Sequence, residues 1–74
     1  MVKSYLFDAQ TKSEIGQALW QARHEKHLYI NNVASSTGIP SKIIDGMELG
    51  KFMEYDSLRK LMDFYGKNVN VIIK

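Results

Sequence analysis

Seventy-four residues, 45% of them hydrophobic and 24% charged, are enough for one small domain and no more. A domain of this size buries only about 60% of the surface its unfolded chain exposes, so it needs a disulfide, a metal or a partner subunit as support. There is no cysteine, which excludes disulfides and Cys-ligated zinc or iron–sulfur sites, and a net charge of +2 is too mild to point to a polyanionic partner by itself.

His24 and His27 are the two histidines, three positions apart, and no third histidine or cysteine ligand lies near them in sequence. Two imidazoles fall short of a metal site's usual ligand set, so no metal and no cofactor are expected. Oligomerisation is then the remaining support, and a homodimer is expected. No long apolar run occurs near the start, which predicts neither a signal peptide nor a membrane span and a cytoplasmic protein.

Residues 1–10 (MVKSYLFDAQ) hold Val2, Tyr5, Leu6 and Phe7, good strand formers that predict a short strand or an ordered arm. From Thr11 the pattern turns helical. Thr11 or Ser13 can cap, Glu14 suits the first turn, and Ile15, Leu19, Ala22 and Lys26 recur at helical spacing. The first helix is placed at Ser13–Glu25. Ile30, Val33, Ala34 and Thr37 share one side of a short second helix, Ile30–Thr37, and Gly38 is able to end it in a left-handed conformation. Pro40-Ser41 can open a third helix carrying Ile43, Ile44 and Met47, which spans Pro40–Leu49 before Gly50.

Tyr55, Leu58, Leu61, Met62 and Tyr65 form the apolar stripe of a fourth helix, Glu54–Tyr65, closed by Gly66. The run KNVNVIIK then alternates at Val69, Val71 and Ile73 and reads as a strand over residues 68–74. The fold expected is mainly α, with four helices over residues 13–66 and terminal strands outside them. No paired carboxylates, nucleophile–base set or phosphate-cradling glycine loop occurs, so no enzyme is expected.

Two short helices joined at a glycine describe a helix-turn-helix. Ala34 would let the helices cross closely, Gly38 would permit the turn, and Ile39 and Ile44 would hold the second helix against the first. Periodicity alone leaves a generic small helical bundle equally open. The run Ala34-Ser-Ser-Thr-Gly38-Ile39-Pro-Ser-Lys-Ile-Ile44-Asp-Gly-Met47-Glu48-Leu-Gly50-Lys51 resembles the core of the Xre/phage-repressor (lambda-repressor-like) family. Ile15, Gly16, Leu19 and Arg23 upstream, and Leu58, Leu61 and Gly66 downstream, extend the resemblance over about residues 13–66.

The resemblance implies a sequence-specific double-stranded DNA-binding regulator, a repressor or a toxin–antitoxin autoregulator, whose third helix enters the major groove. Ser41, Lys42, Asp45 and Gly46 would be its exposed positions. Lys42 would donate to guanine or phosphate, Ser41 to base edges or backbone, and Asp45 would accept from a cytosine amino group. Ile43 would touch a thymine methyl if it projects outward, or else pack in the core. Lys51 and Lys26 are candidate phosphate contacts. Arg23 and Glu48 stand where the family pairs an arginine of its first helix with a glutamate ending its third, which implies a partly buried structural ion pair.

Two departures shape the expectation. Many family members open the second helix with Ser-Gln, whereas this chain has Tyr29-Ile30, so Asn31 or Asn32 would take over the glutamine's role. Gly46 lacks a side chain where the family often carries a base reader. The few long polar readers imply modest affinity per monomer and dependence on a dimer. HipB-like antitoxins are similar in carrying a terminal strand, which implies that Asn68–Lys74, through Val69, Val71 and Ile73, pairs across a two-fold axis, joined by residues 2–7. Trp20, on the outer face of the first helix, would meet that N-terminal arm or a protein partner such as a cognate toxin. The alternative function is a protein-interaction module that keeps the helix-turn-helix but not DNA binding, a reading that Asp45 and the low net charge favour.

Overall fold

The computed structural model describes residues 8–67, which form four helices: α1 (Ala9–Glu25), α2 (Ile30–Thr37), α3 (Ser41–Glu48) and α4 (Tyr55–Tyr65). Among these residues there is no strand. The strands expected over residues 2–7 and 68–74, with Val69, Val71 and Ile73, lie outside the described residues.

α1 starts four residues earlier than its apolar spacing suggested. Its N-cap is Asp8, in extended conformation, and the carboxylate Oδ1 accepts the Thr11 N–H at 2.7 Å. This replaces Thr11 or Ser13 as the cap and puts Ala9 and Gln10 in the helix instead of in a strand or arm. An Asp cap satisfies one of the helix's free N–H groups, and Ala and Gln are good helix formers. Hydrogen bonding from Thr11, by its side chain first and its backbone N–H second, holds the Asp8 carboxyl below its ordinary range. At the other end, the Leu28 N–H donates to Arg23 O and the His27 N–H to His24 O, with His27 at φ 57°, so the chain turns sharply into α2.

α2 and α3, eight residues each, are separated by Gly38, Ile39 and Pro40. Gly38 takes φ 79° and its N–H donates to Ala34 O at 2.9 Å. Only glycine reaches that conformation without a Cβ penalty, so this residue sets the direction in which α3 leaves. Thr37 reinforces the turn: its hydroxyl donates to Val33 O at 2.8 Å and accepts from the Ile39 N–H at 3.2 Å. Pro40 is the N-cap of α3, with its carbonyl accepting the N–H groups of Ile43 and Ile44. The result is compatible with a helix-turn-helix-like fold.

The core collects one face from every helix. Ile15, Leu19 and Ala22 of α1, Val33 of α2, Ile39 of the turn, Ile44 and Met47 of α3, Met53 before α4, and Leu58, Leu61, Met62 and Tyr65 of α4 are all buried together. α1 packs against α3 and α4, and α2 packs against the same two helices. Ala34 is half-buried against the cluster, not at its centre.

α1 and α3 meet backbone to backbone at Gly16. A Cβ there would stand 2.5 Å from Met47 O and 2.6 Å from Glu48 O, closer than any side chain tolerates. Glycine at this position is a packing requirement: it brings the last turn of α3 onto α1, where Arg23 can reach it.

Candidate nucleic-acid interface

Three side chains of α3 are turned inward. Ile44 and Met47 are fully buried, and the Glu48 side chain is 4% exposed beneath α1. Arg23 meets Glu48 in a bidentate pair, with Nε to Oε2 at 2.7 Å and Nη2 to Oε1 at 2.9 Å. Its remaining nitrogen, Nη1, donates to Leu28 O at 3.0 Å, so one guanidinium ties α1 to the end of α3 and to the entry of α2. The hydrogen bonds to Glu48 raise the Arg23 pKa above its already high ordinary value, against an opposing effect of burial. The guanidinium end of this strut stays charged at every working pH.

Tyr65 sits close to this strut. It is buried, its hydroxyl finds no hydrogen-bond partner among the described residues, and burial, with a smaller contribution from the Glu48 charge, pushes its pKa up to about 12.

The outward side of α3 carries the candidate contact residues. Lys42 and Asp45 are exposed, three positions apart on one stripe. Leu49, the C-cap, continues the same stripe four residues beyond Asp45 and is 61% exposed. Sequence reasoning left Leu49 out; its spacing of seven from Lys42 was the available signal. Ser41 is half-buried at the first position of α3, and its hydroxyl donates to Asn31 Oδ1 at 3.0 Å. That bond brings the first turns of α2 and α3 together, with Lys42 beside them.

Asn31 is exposed and, with its Oδ1 accepting from Ser41, keeps amide N–H groups available to an acceptor outside. Asn32 is occupied differently: its Oδ1 accepts the Tyr29 N–H at 2.9 Å and caps α2. Tyr29 itself is 78% exposed at this end of the molecule, a second residue that sequence reasoning did not single out for contact.

Gly46 departs from the expectation. It is buried, and a Cβ there would meet the Phe52 ring at 2.5 Å. The chain turns back after Gly50 and lays Phe52 over this side of α3, so Gly46 makes room for an aromatic ring and exposes nothing to a groove. Ile43 is half-buried and packs against the core, which leaves it only partly accessible. Lys51 is exposed just past the far end of α3, its N–H donating to Gly46 O at 3.0 Å, and so stands apart from the Asn31–Ser41–Lys42 group. Lys26 is exposed at the end of α1.

Trp20 is 47% exposed and stacks on the His24 ring, with centroids 3.8 Å apart. Among the described residues no set of three or more His, Asp or Glu side chains could hold a metal ion, and no helix is long and apolar enough to cross a membrane. Neither a protein-family model, nor a curated protein, nor a solved structure matches the chain.

Proposed function

We propose that the chain is a sequence-specific double-stranded DNA-binding regulator, a lambda-repressor-like helix-turn-helix protein that acts as a homodimer and presents α3 to the major groove. The observation that carries this reading is the paired first turns of α2 and α3: Ser41 bonded to Asn31, with Lys42 exposed next to them. A helix whose inner side is fixed to the core and whose N-terminal outer side offers a hydroxyl and an ammonium, with the Asn31 amide of α2 beside them, is suited to phosphate and base-edge contact. Asn31, held by the Ser41 hydroxyl, sets the register on the backbone by donating its amide N–H groups. Lys42 reaches guanine or phosphate, and Asp45 accepts from cytosine. Leu49, with the accessible part of Ile43, supplies apolar contact to a thymine methyl. Lys26 and Lys51 add phosphate contacts at the two flanks.

Dimerisation through Val69, Val71 and Ile73 supplies the second half-site, about 34–36 Å from the first. A repressor of its own promoter and a toxin–antitoxin autoregulator both fit this scheme. The test is binding to duplex fragments taken from upstream of the protein's own gene, measured at two salt concentrations. Tight binding to one fragment, weakened by salt, is expected. Lys42→Ala should remove about one unit of the salt slope per monomer if the lysine meets phosphate, or relax specificity at one base pair if it reads guanine.

A second reading, a protein-interaction module, rests on the exposed apolar groups Trp20 and Leu49 and on Asp45, whose charge phosphate repels. Binding to duplexes that is equally weak for every fragment would favour it over the first.

A further inference from the structure

Between α1 and α4 lies a cleft of about 220 Å³, lined by Ala18, Gln21, Ala22, Glu25, Met62 and Lys67. Its floor is apolar. Ala22 and Met62 are buried, and Ala18 and Ala22 are too short to fill the space above them. A cavity of about 150 Å³ is enough for a benzene ring, so this one has room for aliphatic side chains.

We propose that the cleft is the seat of the chain's own following segment, Asn68–Lys74, which folds back along α1 and covers the α1–α4 seam. The segment begins at the cleft. Lys67 is one of its lining residues, the Lys67 N–H donates to Met62 O at 2.8 Å, and the Lys67 ammonium lies 3.9 Å from the Glu25 carboxylate on the opposite rim. Its composition fits the floor: Val69, Val71 and Ile73 alternate and share one face of an extended chain.

Length and charge agree as well. Seven extended residues span up to about 23 Å, whereas the rise of α1 from Glu25 back to Glu14 is about 16 Å. Glu14, Gln21 and Glu25, all exposed, recur along one edge of α1, so Lys67 stands by Glu25 at one end and Lys74 reaches Glu14 at the other. The tether at Lys67 gives the segment an effective concentration that a second molecule lacks. An extended segment seated this way keeps one backbone edge open, so the seat stands independently of operator binding and of pairing between copies.

The chain's lack of cysteine makes the test direct. In the full chain, Gln21→Cys is combined with Val69→Cys, whose side chain faces the cleft in the proposed seat, and Asp63→Cys with Val69→Cys serves as the comparison. Gln21 and Asp63 are both exposed, and Asp63 is closer along the chain, on the outer side of α4. With the segment seated, the Gln21 pair should close within a single chain about tenfold faster than the Asp63 pair, because only it brings the two Cα atoms into bonding range. Ala18→Arg, which fills the cleft, should slow that closure about tenfold. Faster closure of the Asp63 pair, closure indifferent to Ala18→Arg, or a product joining position 21 of one chain to the segment cysteine of another would each overturn the proposal, the last by seating the segment on a second copy. DNA binding is read separately, so its loss and the loss of the seat are distinguishable.

Discussion

Arg23→Ala removes a buried side chain that ties three elements of this fold together. It deletes both hydrogen bonds to Glu48 and the bond to Leu28 O, and leaves a carboxylate whose side chain is only 4% exposed without its partner. Breaking a buried pair from one side costs about 3–5 kcal/mol, and the lower end applies because the arginine side chain retains 10% exposure. A loss of about 3 kcal/mol lowers the Tm of a domain this size by about 12–24 °C. Helical circular dichroism followed during heating and in urea, at one fixed protein concentration, reads it.

The double variant Arg23→Met, Glu48→Leu separates pairing from packing. Apolar replacements of similar volume leave no orphaned charge, so it should recover most of the loss despite removing the same hydrogen bonds. A single Arg23→Ala variant within about 0.5 kcal/mol of the parent would refute the reasoning, that being the range of an ordinary surface exchange. So would a double variant no more stable than the single one.

Further outcomes follow from particular atoms. Gly16→Ala should destabilise by about 1–3 kcal/mol in urea titration despite its better helix propensity, because the new methyl meets two backbone carbonyls that cannot move aside. Gly38→Ala should cost about 1–2 kcal/mol for a different reason: no atom stands within 4 Å of the new Cβ, and the cost is the left-handed backbone alone, with Gly38→Asn costing less. Tyr65 holds its proton up to about pH 12 in the fold but only to about 10 when unfolded, so between those values the folded chain binds more protons and stability falls as pH rises. The loss contributed by this residue should reach about 2 kcal/mol at pH 12 and be absent in Tyr65→Phe, as alkaline urea titrations of the two chains would report.

How much of this was legible in the sequence depends on how local each feature is. α2, its glycine stop and the apolar stripe of α4 follow from spacing and from one residue's backbone freedom, and both helices lie within a residue of where the pattern puts them. The start of α1 was obscured because Asp8 follows Val2, Tyr5, Leu6 and Phe7, strand formers that drew Ala9 and Gln10 into their segment. Gly46 was misread for a tertiary reason: the ring that occupies its side belongs to Phe52, beyond the helix, and no periodicity within α3 announces it. Leu49 was passed over because an apolar residue beside a glycine stop reads as core, whereas the stripe of Lys42 and Asp45 carries it outward. Tyr65 fits the apolar stripe of α4, but that its hydroxyl would lie unpaired beside Arg23 and Glu48 depends on how three helices meet.

The contact at Gly16 also separates what holds α3 from what α3 displays. Its position is set from beneath, by carbonyls resting on a bare helix backbone and by residues 44, 46, 47 and 48. Lys42, Asp45 and Leu49 take no part in that attachment. The outer stripe can therefore be rewritten, by selection or by design, as an exchangeable reading head on an unchanged mount, and a library randomised at those three positions should return mostly folded proteins that differ in what they bind.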